Sequence, residues 1–136
     1  MRTLPDGVLM LGRVDDATLA RANRAADVVF VPSLFEAFSR VVIEAWQQST
    51  PVVVSDGVAL APVVRRLGGA VVAYGDAQAA ASELENTLRE PDRAKRQGLA
   101  GQQLVRREYV VDVLVDRVVT VYRTILAQRR LDTRRR

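Results

Sequence analysis

"DVVFVPSLFEAFSRVVIEAWQQSTPVVVSD", residues 27 to 56, holds a unit that sets the fold. Its two Val-rich runs are apolar at successive positions and do not alternate, which marks strands buried on both faces of a parallel sheet. Pro32 stops the first run, and a helix-spaced stripe of Val41, Val42, Ala45 and Trp46 predicts a helix over roughly 38–48 between the two runs. Outward from this unit the alternation continues. "GVLMLG" (Gly7 to Gly12) reads as a preceding strand bounded by glycines, and Asp15 or Asp16 as the N-cap of a helix with Leu19, Ala22 and Ala26 on one face. "LAPVVRRLGG" reads as a short helix ended by Gly68 and Gly69, and "AVVAYG" as the last strand. Helices follow over 76–90, 91 to about 108, and 111 to about 130. The expected class is α/β: a doubly wound, mostly parallel sheet of about four strands with helices on both faces. It forms one domain over 1–128, with a basic, frayed tail over 129–136.

Composition narrows the chemistry. With no Cys and no His, the chain has no thiol nucleophile, no disulfide and no imidazole, so acid–base work would fall to Asp, Glu or Tyr. The apolar runs are too short for a membrane span and no leader pattern opens the chain, which predicts a cytoplasmic protein. The net charge is +4, yet five arginines fall in the last eight residues, "RRLDTRRR", so the rest is near neutral. No aromatic residue interleaves those arginines as a stacking surface would require, so no nucleic-acid partner is expected and the tail reads as solvated. Nothing else in the chain argues for a peripheral membrane contact.

In open parallel sheets ligands bind beyond the carboxyl ends of the strands. That rule singles out the loops 12–16, 32–38 and 55–60. Glu36 lies at the mouth of the 38–48 helix and Glu44 inside it, with seven residues between them. The free N–H groups of a helix start hold a phosphate without any cation, and a carboxylate beside that phosphate suits neutral hydroxyls such as those of a sugar. Glu44, about two turns on, matches a vicinal diol such as a ribose. This spacing admits a nucleotide-sugar. It equally admits a bland reading, in which Glu44 pairs with Arg40 at i, i+4 and Glu36 favours the helix dipole.

The parts taken together resemble the donor-binding half of retaining glycosyltransferases of the two-Rossmann-domain (GT-B) fold, the family with sucrose synthases and phosphatidylinositol mannosyltransferases. The resemblance rests on Pro32-Ser33, Glu36-Ala37-Phe38, Glu44-Ala45 and Thr50-Pro51-Val52-Val53 in that order and spacing, and extends over about residues 7–127. It implies a nucleotide-diphosphate sugar as donor and no metal or other cofactor. By it Glu36 is the catalytic residue and holds the donor sugar, with Ser33 and Ala37 nearby, and Glu44 holds the ribose. The backbone amides of Phe38, Ser39 and Arg40 would face phosphate or sugar oxygens, and Gly12, Arg13 and Val14 would lie near the nucleobase. Ala37 and Ser49 stand where the family commonly has Gly.

The family's donor half normally opens with two more strand–helix units, carrying an Arg and a Lys that clamp the diphosphate, behind a whole acceptor-binding domain. The sequence therefore resembles a C-terminal piece: a truncated reading frame, a subunit of a split enzyme or a separate domain. The expected function is retaining sugar transfer to an unidentified acceptor, with partners in a separate acceptor domain or in self-association through the last helix. Two other readings stay open: a catalytically silent binding module derived from such an enzyme, and a nucleotide-sugar epimerase half. Trp46, the sole tryptophan, is expected in the core.

Overall fold

The structure is a computed structural model that describes the backbone of residues 5–133 and the side chains of residues 5–128. Its elements are α1 (Asp16–Ala25), β1 (Val29–Val31), α2 (Arg40–Gln47), β2 (Val52–Ser55), α3 (Ala61–Arg66), β3 (Ala70–Val72), α4 (Ala77–Arg89), α5 (Pro91–Glu108) and α6 (Val111–Thr133). The sheet runs β1-β2-β3 with both pairings parallel; Val29 stands opposite Val52, and Val53 opposite Ala70. All four residues of β2 are buried, as a continuous apolar run predicts for a central parallel strand. Val52 and Val54 join the large cluster under α2, α3 and α5, while Val53 joins the smaller cluster under α4, so helices cover both faces.

Three strands form among the described residues, one fewer than expected. The difference is Gly7 to Gly12, which runs as coil with Leu9 79% exposed. An apolar run becomes a strand only where a neighbour offers a ladder, and no described strand lies beside this one. The α2 stripe also shifts by one position: Val42, Ile43, Ala45 and Trp46 are buried, whereas Val41 is exposed. Trp46 is fully buried as expected. The basic end behaves as helix through Thr133, and the remainder of the expected tail lies outside the described residues.

Two local devices set α2 in place. Its C-terminus closes as a Schellman turn: the Ser49 N–H donates to Trp46 O at 3.0 Å and the Thr50 N–H to Ala45 O at 3.0 Å. That turn requires a left-handed residue, and Ser49 takes it at φ 63°, a conformation that costs a residue with a Cβ roughly 1–2 kcal/mol. The second device is α5. A Cβ on Gly98 would stand 1.9 Å from Ser49 O, and one on Gly101 would stand 2.3 Å from the Trp46 ring. These two glycines, one turn apart, let α5 lie directly on α2 and its turn. Gln97, on the same turn of α5, accepts the Val52 N–H at 3.1 Å and so ties the helix to the start of β2.

Opposite stability changes are expected at the two ends of this contact. Ser49→Gly relieves the turn and should raise stability by about 0.5–1 kcal/mol, whereas Gly98→Ala drives a methyl into a backbone carbonyl and should cost at least ~1–3 kcal/mol. Urea midpoints at constant slope measure both; a neutral Gly98→Ala would show that α5 does not approach α2 this closely.

Candidate functional site

The loop 32–38 leaves β1 at its carboxyl end and is fixed to the next loop by backbone and hydroxyl bonds. Ser55 Oγ donates to the carbonyls of Val31 and Ser33. The Glu36 N–H donates to Gly57 O at 3.1 Å and the Ala59 N–H to Glu36 O at 2.9 Å, a parallel bridge that prolongs the sheet past the strand ends. Gly57 permits this approach, since a Cβ there would fall 2.0 Å from Leu34 O. Glu36 is thus held by its own backbone. One of its carboxylate oxygens, Oε2, is buried and has no hydrogen-bond partner. A buried carboxylate oxygen without a donor costs free energy until something donates to it.

Three residues further on, Ser39 stands fully buried as the N-cap of α2, its Oγ accepting the Val42 N–H at 3.4 Å. Its hydroxyl is therefore committed to the cap, and the amides that open α2 are the groups left for a ligand. The helix starts at Arg40, two residues later than expected, because Ser39 is the stronger cap. Ala37 is exposed, and with Ser49 the sole non-glycine at positive φ among the described residues, it keeps an ordinary backbone. Glu44 lies one turn into α2 with its Oε1 3.0 Å from Arg40, whose side chain is far more exposed (82% against 25%). Such a pair is worth about 0.3–0.5 kcal/mol, too little to hold Glu44 against a better partner.

A groove of about 450 Å³ opens between α1, α2 and the start of α6. It brings together Phe38, Arg40 and Glu44 from the expected set and adds Asp16, Asn23 and Tyr109. The Phe38 and Tyr109 rings meet at 5.8 Å and 48°, forming one wall. Gly12, Arg13, Val14, Ser33, Ala37, Ser39 and Glu36 do not line it; Gly12 to Val14 form the coil that leads into α1, with Arg13 exposed. The sequence pattern missed Tyr109 and Asn23. Tyr109 closes α5 some 65 positions from Glu44 in the chain, and Asn23 sits on a helix face that read as apolar. Among the described residues no group of three or more His, Cys, Asp or Glu could hold a metal ion.

Two carboxylates at helix ends follow local geometry. Asp15 caps α1, accepting the Thr18 N–H at 2.7 Å, and that bond holds its carboxyl below the ordinary value of 3.8. Glu108 sits below its ordinary value too, chiefly through its bond with Arg117 and then with Arg107, which ties the end of α5 to α6.

Residues 2–104 match the family model described as glycosyl transferases group 1. The chain is 39% identical over 124 residues to a phosphatidyl-myo-inositol mannosyltransferase of Mycobacterium leprae, an alignment that takes in 90% of this chain and 33% of that protein. It is 33% identical over 123 residues to a D-inositol 3-phosphate glycosyltransferase of Segniliparus rotundus, covering 89% of this chain and 27% of that one. In structure it superposes on a sucrose-phosphate synthase of Thermosynechococcus elongatus with a TM-score of 0.82 at 31% identity, covering 90% of this chain and 31% of the other. The chain thus spans about a third of the length of these relatives.

Two outcomes are expected at this site. Gly57→Ala should displace the Leu34–Glu36 backbone, seen as amide shifts concentrated at residues 33–36 and 57–59 with α5 unmoved; shifts spread over the whole chain would show that the contact is not local. Asp15, with its folded value depressed, stabilises α1 above the unfolded value, and this contribution is lost as pH falls from about 3.8 through the folded value. An Asp15 carboxyl titration by NMR should therefore have its midpoint below that of an unstructured peptide, and Asp15→Asn should flatten the acid limb of stability.

Proposed function

The chain belongs to the group 1 glycosyl transferases, and from that premise we propose that it forms the donor-binding part of a retaining, nucleotide-sugar-dependent transferase. What supports the reading most directly is Glu36: a carboxylate fixed by its own backbone at the carboxyl end of β1, with one buried oxygen that lacks a donor. A sugar hydroxyl supplies that donor. In this reading Glu36 is the catalytic residue and orients the sugar, the amides of Phe38, Ser39 and Arg40 take the diphosphate, and Glu44 leaves Arg40 for the two hydroxyls of the ribose. Gly12, Arg13, Val14 and Ser33 complete the approach to the base and the sugar. Backbone amides at a helix start and carboxylates toward hydroxyls need no metal or other cofactor. Relatives named for mannosyl transfer to phosphatidyl-myo-inositol make nucleotide-linked mannose the first donor to try. Among the described residues no helix is long and apolar enough to cross a membrane, and the reading places the chain in the cytoplasm.

One observation favours a second reading, a catalytically silent binding module: the Arg40–Glu44 pair already occupies a Glu44 oxygen. The two readings differ in calorimetry. Under the first, Glu44→Ala weakens nucleoside diphosphate and nucleotide-sugar alike by about 1.5–3 kcal/mol, the worth of a charge-assisted hydrogen bond, whereas Glu36→Ala weakens the nucleotide-sugar alone. Equal losses from both variants on both ligands would sink the division of roles; absence of binding would leave the silent module. Transfer by this chain alone is expected to be unmeasurable, since an acceptor must be held against the donor for proximity to act. Robust turnover by the purified 136 residues would overturn the reading as a donor-binding part.

A further inference from the structure

Gln97 is 3% exposed, and only one end of its side-chain amide is paired. Oε1 accepts the Val52 N–H at 3.1 Å, while Nε2 is buried without a hydrogen-bond partner among the described residues. The first bond fixes which way the amide faces, because turning it over would set two donors against each other at Val52. A buried donor left unpaired costs more than a made bond gains, so Nε2 calls for an acceptor that the neighbouring side chains do not supply.

A cavity of about 20 Å³ lies against Gln97. The turn between α3 and β3 forms one side of it with Gly68 and Gly69, and a Cβ on Gly69 would stand 2.8 Å from Nε2. Pro51, Thr87 and Arg93 line other sides. Size is the first selector of an occupant: a water needs roughly 10–15 Å³ by the same measure, so the space takes one water and no larger ligand. Polarity is the second. Thr87 Oγ1 gives its hydrogen to Glu83 O at 2.7 Å, so it has only lone pairs to offer the cavity. A halide could accept from Nε2 but would meet the Thr87 oxygen with like charge. A cation would suit that oxygen but would face the amide N–H groups and the Arg93 guanidinium. Water both accepts and donates.

We infer that this cavity is the seat of one internal water, which accepts from Gln97 Nε2 and donates to Thr87 Oγ1. It joins α4 to α5 and, through Gln97 Oε1, to the first amide of β2. The inference does not depend on the donor-site reading, since the cavity lies at the amino ends of β2 and β3 and the 32–38 loop at the carboxyl end of β1. A high-resolution crystal structure of the chain should show one water within hydrogen-bond reach of both Gln97 Nε2 and Thr87 Oγ1, and crystals soaked in bromide should show no anomalous peak there. In solution, the Gln97 side-chain amide protons should give dipolar cross-peaks to water with the sign of a long-lived bound molecule. Thr87→Val keeps the shape of the side chain and removes the water's acceptor, with no bond between Thr87 and Val52 to lose. Exchange of the Val52 amide hydrogen should then quicken about 2- to 10-fold, the worth of one hydrogen bond, with Val53 and Val54 unchanged. Thr87→Ser keeps the hydroxyl and should exchange as the parent does. An empty cavity, bromide within it, cross-peaks with the sign of surface water, Val52 exchange indifferent to Thr87→Val, or equal quickening at all three amides would each overturn the inference.

Discussion

The approach of α5 to α2 is the constraint on which the rest depends. A helix can lie against the turn of another only where its side chains vanish, and here Gly98 and Gly101 remove two of them from one face. The gap admits the Ser49 carbonyl and the Trp46 ring, and Gln97 adds a bond to the first amide of β2. One face of α5 thus positions three things together: the end of α2, the tryptophan that anchors its buried side, and the edge of the central strand. The start of α2, where the amides proposed to take the diphosphate lie, inherits its direction from that fixed far end.

The loop that carries Glu36 is held by the opposite strategy. The Gly57 carbonyl, the Ala59 amide and the Ser55 hydroxyl all bond to the backbone of the loop. A carboxylate whose position is set by main-chain bonds keeps its own oxygens free, and the price of that freedom is a buried oxygen awaiting a donor. Glu44 is arranged less rigidly, with an exposed arginine as a replaceable partner. The two glutamates therefore differ in kind: one is preorganised, the other exchangeable.

The α/β class, the parallel sheet and the position of the 32–38 loop were legible because continuous Val runs, Pro32 and the helical stripe act locally and agree with one another. What was not legible depends on neighbours distant in the chain. Gly7 to Gly12 has every local mark of a strand, yet a strand is a property of two segments, and the second is not among those described. The one-residue shift of the α2 stripe arises because Ser39 caps the helix and α5 decides which side is covered. Ser49 looked like a departure from a usual glycine, and the positive φ shows the physical reason glycine suits that place. Tyr109 and Asn23 reach the groove only through tertiary folding, so no motif could have announced them.

Strand β1 ends the described sheet, pairing with β2 on one side only. Among the described residues nothing pairs with its outward N–H and C=O groups, and a Val-Phe-Val backbone in that state is a template to which another extended segment can add, the usual beginning of aggregation. The exposure is brief, since the strand has three residues, with Asp27 shortly before it and Pro32 directly after. A charge and a residue without an amide hydrogen limit how far a stray strand can zip along that edge. Replacing Pro32, which touches no proposed ligand, would thus show itself first in how much of the protein stays in solution during refolding.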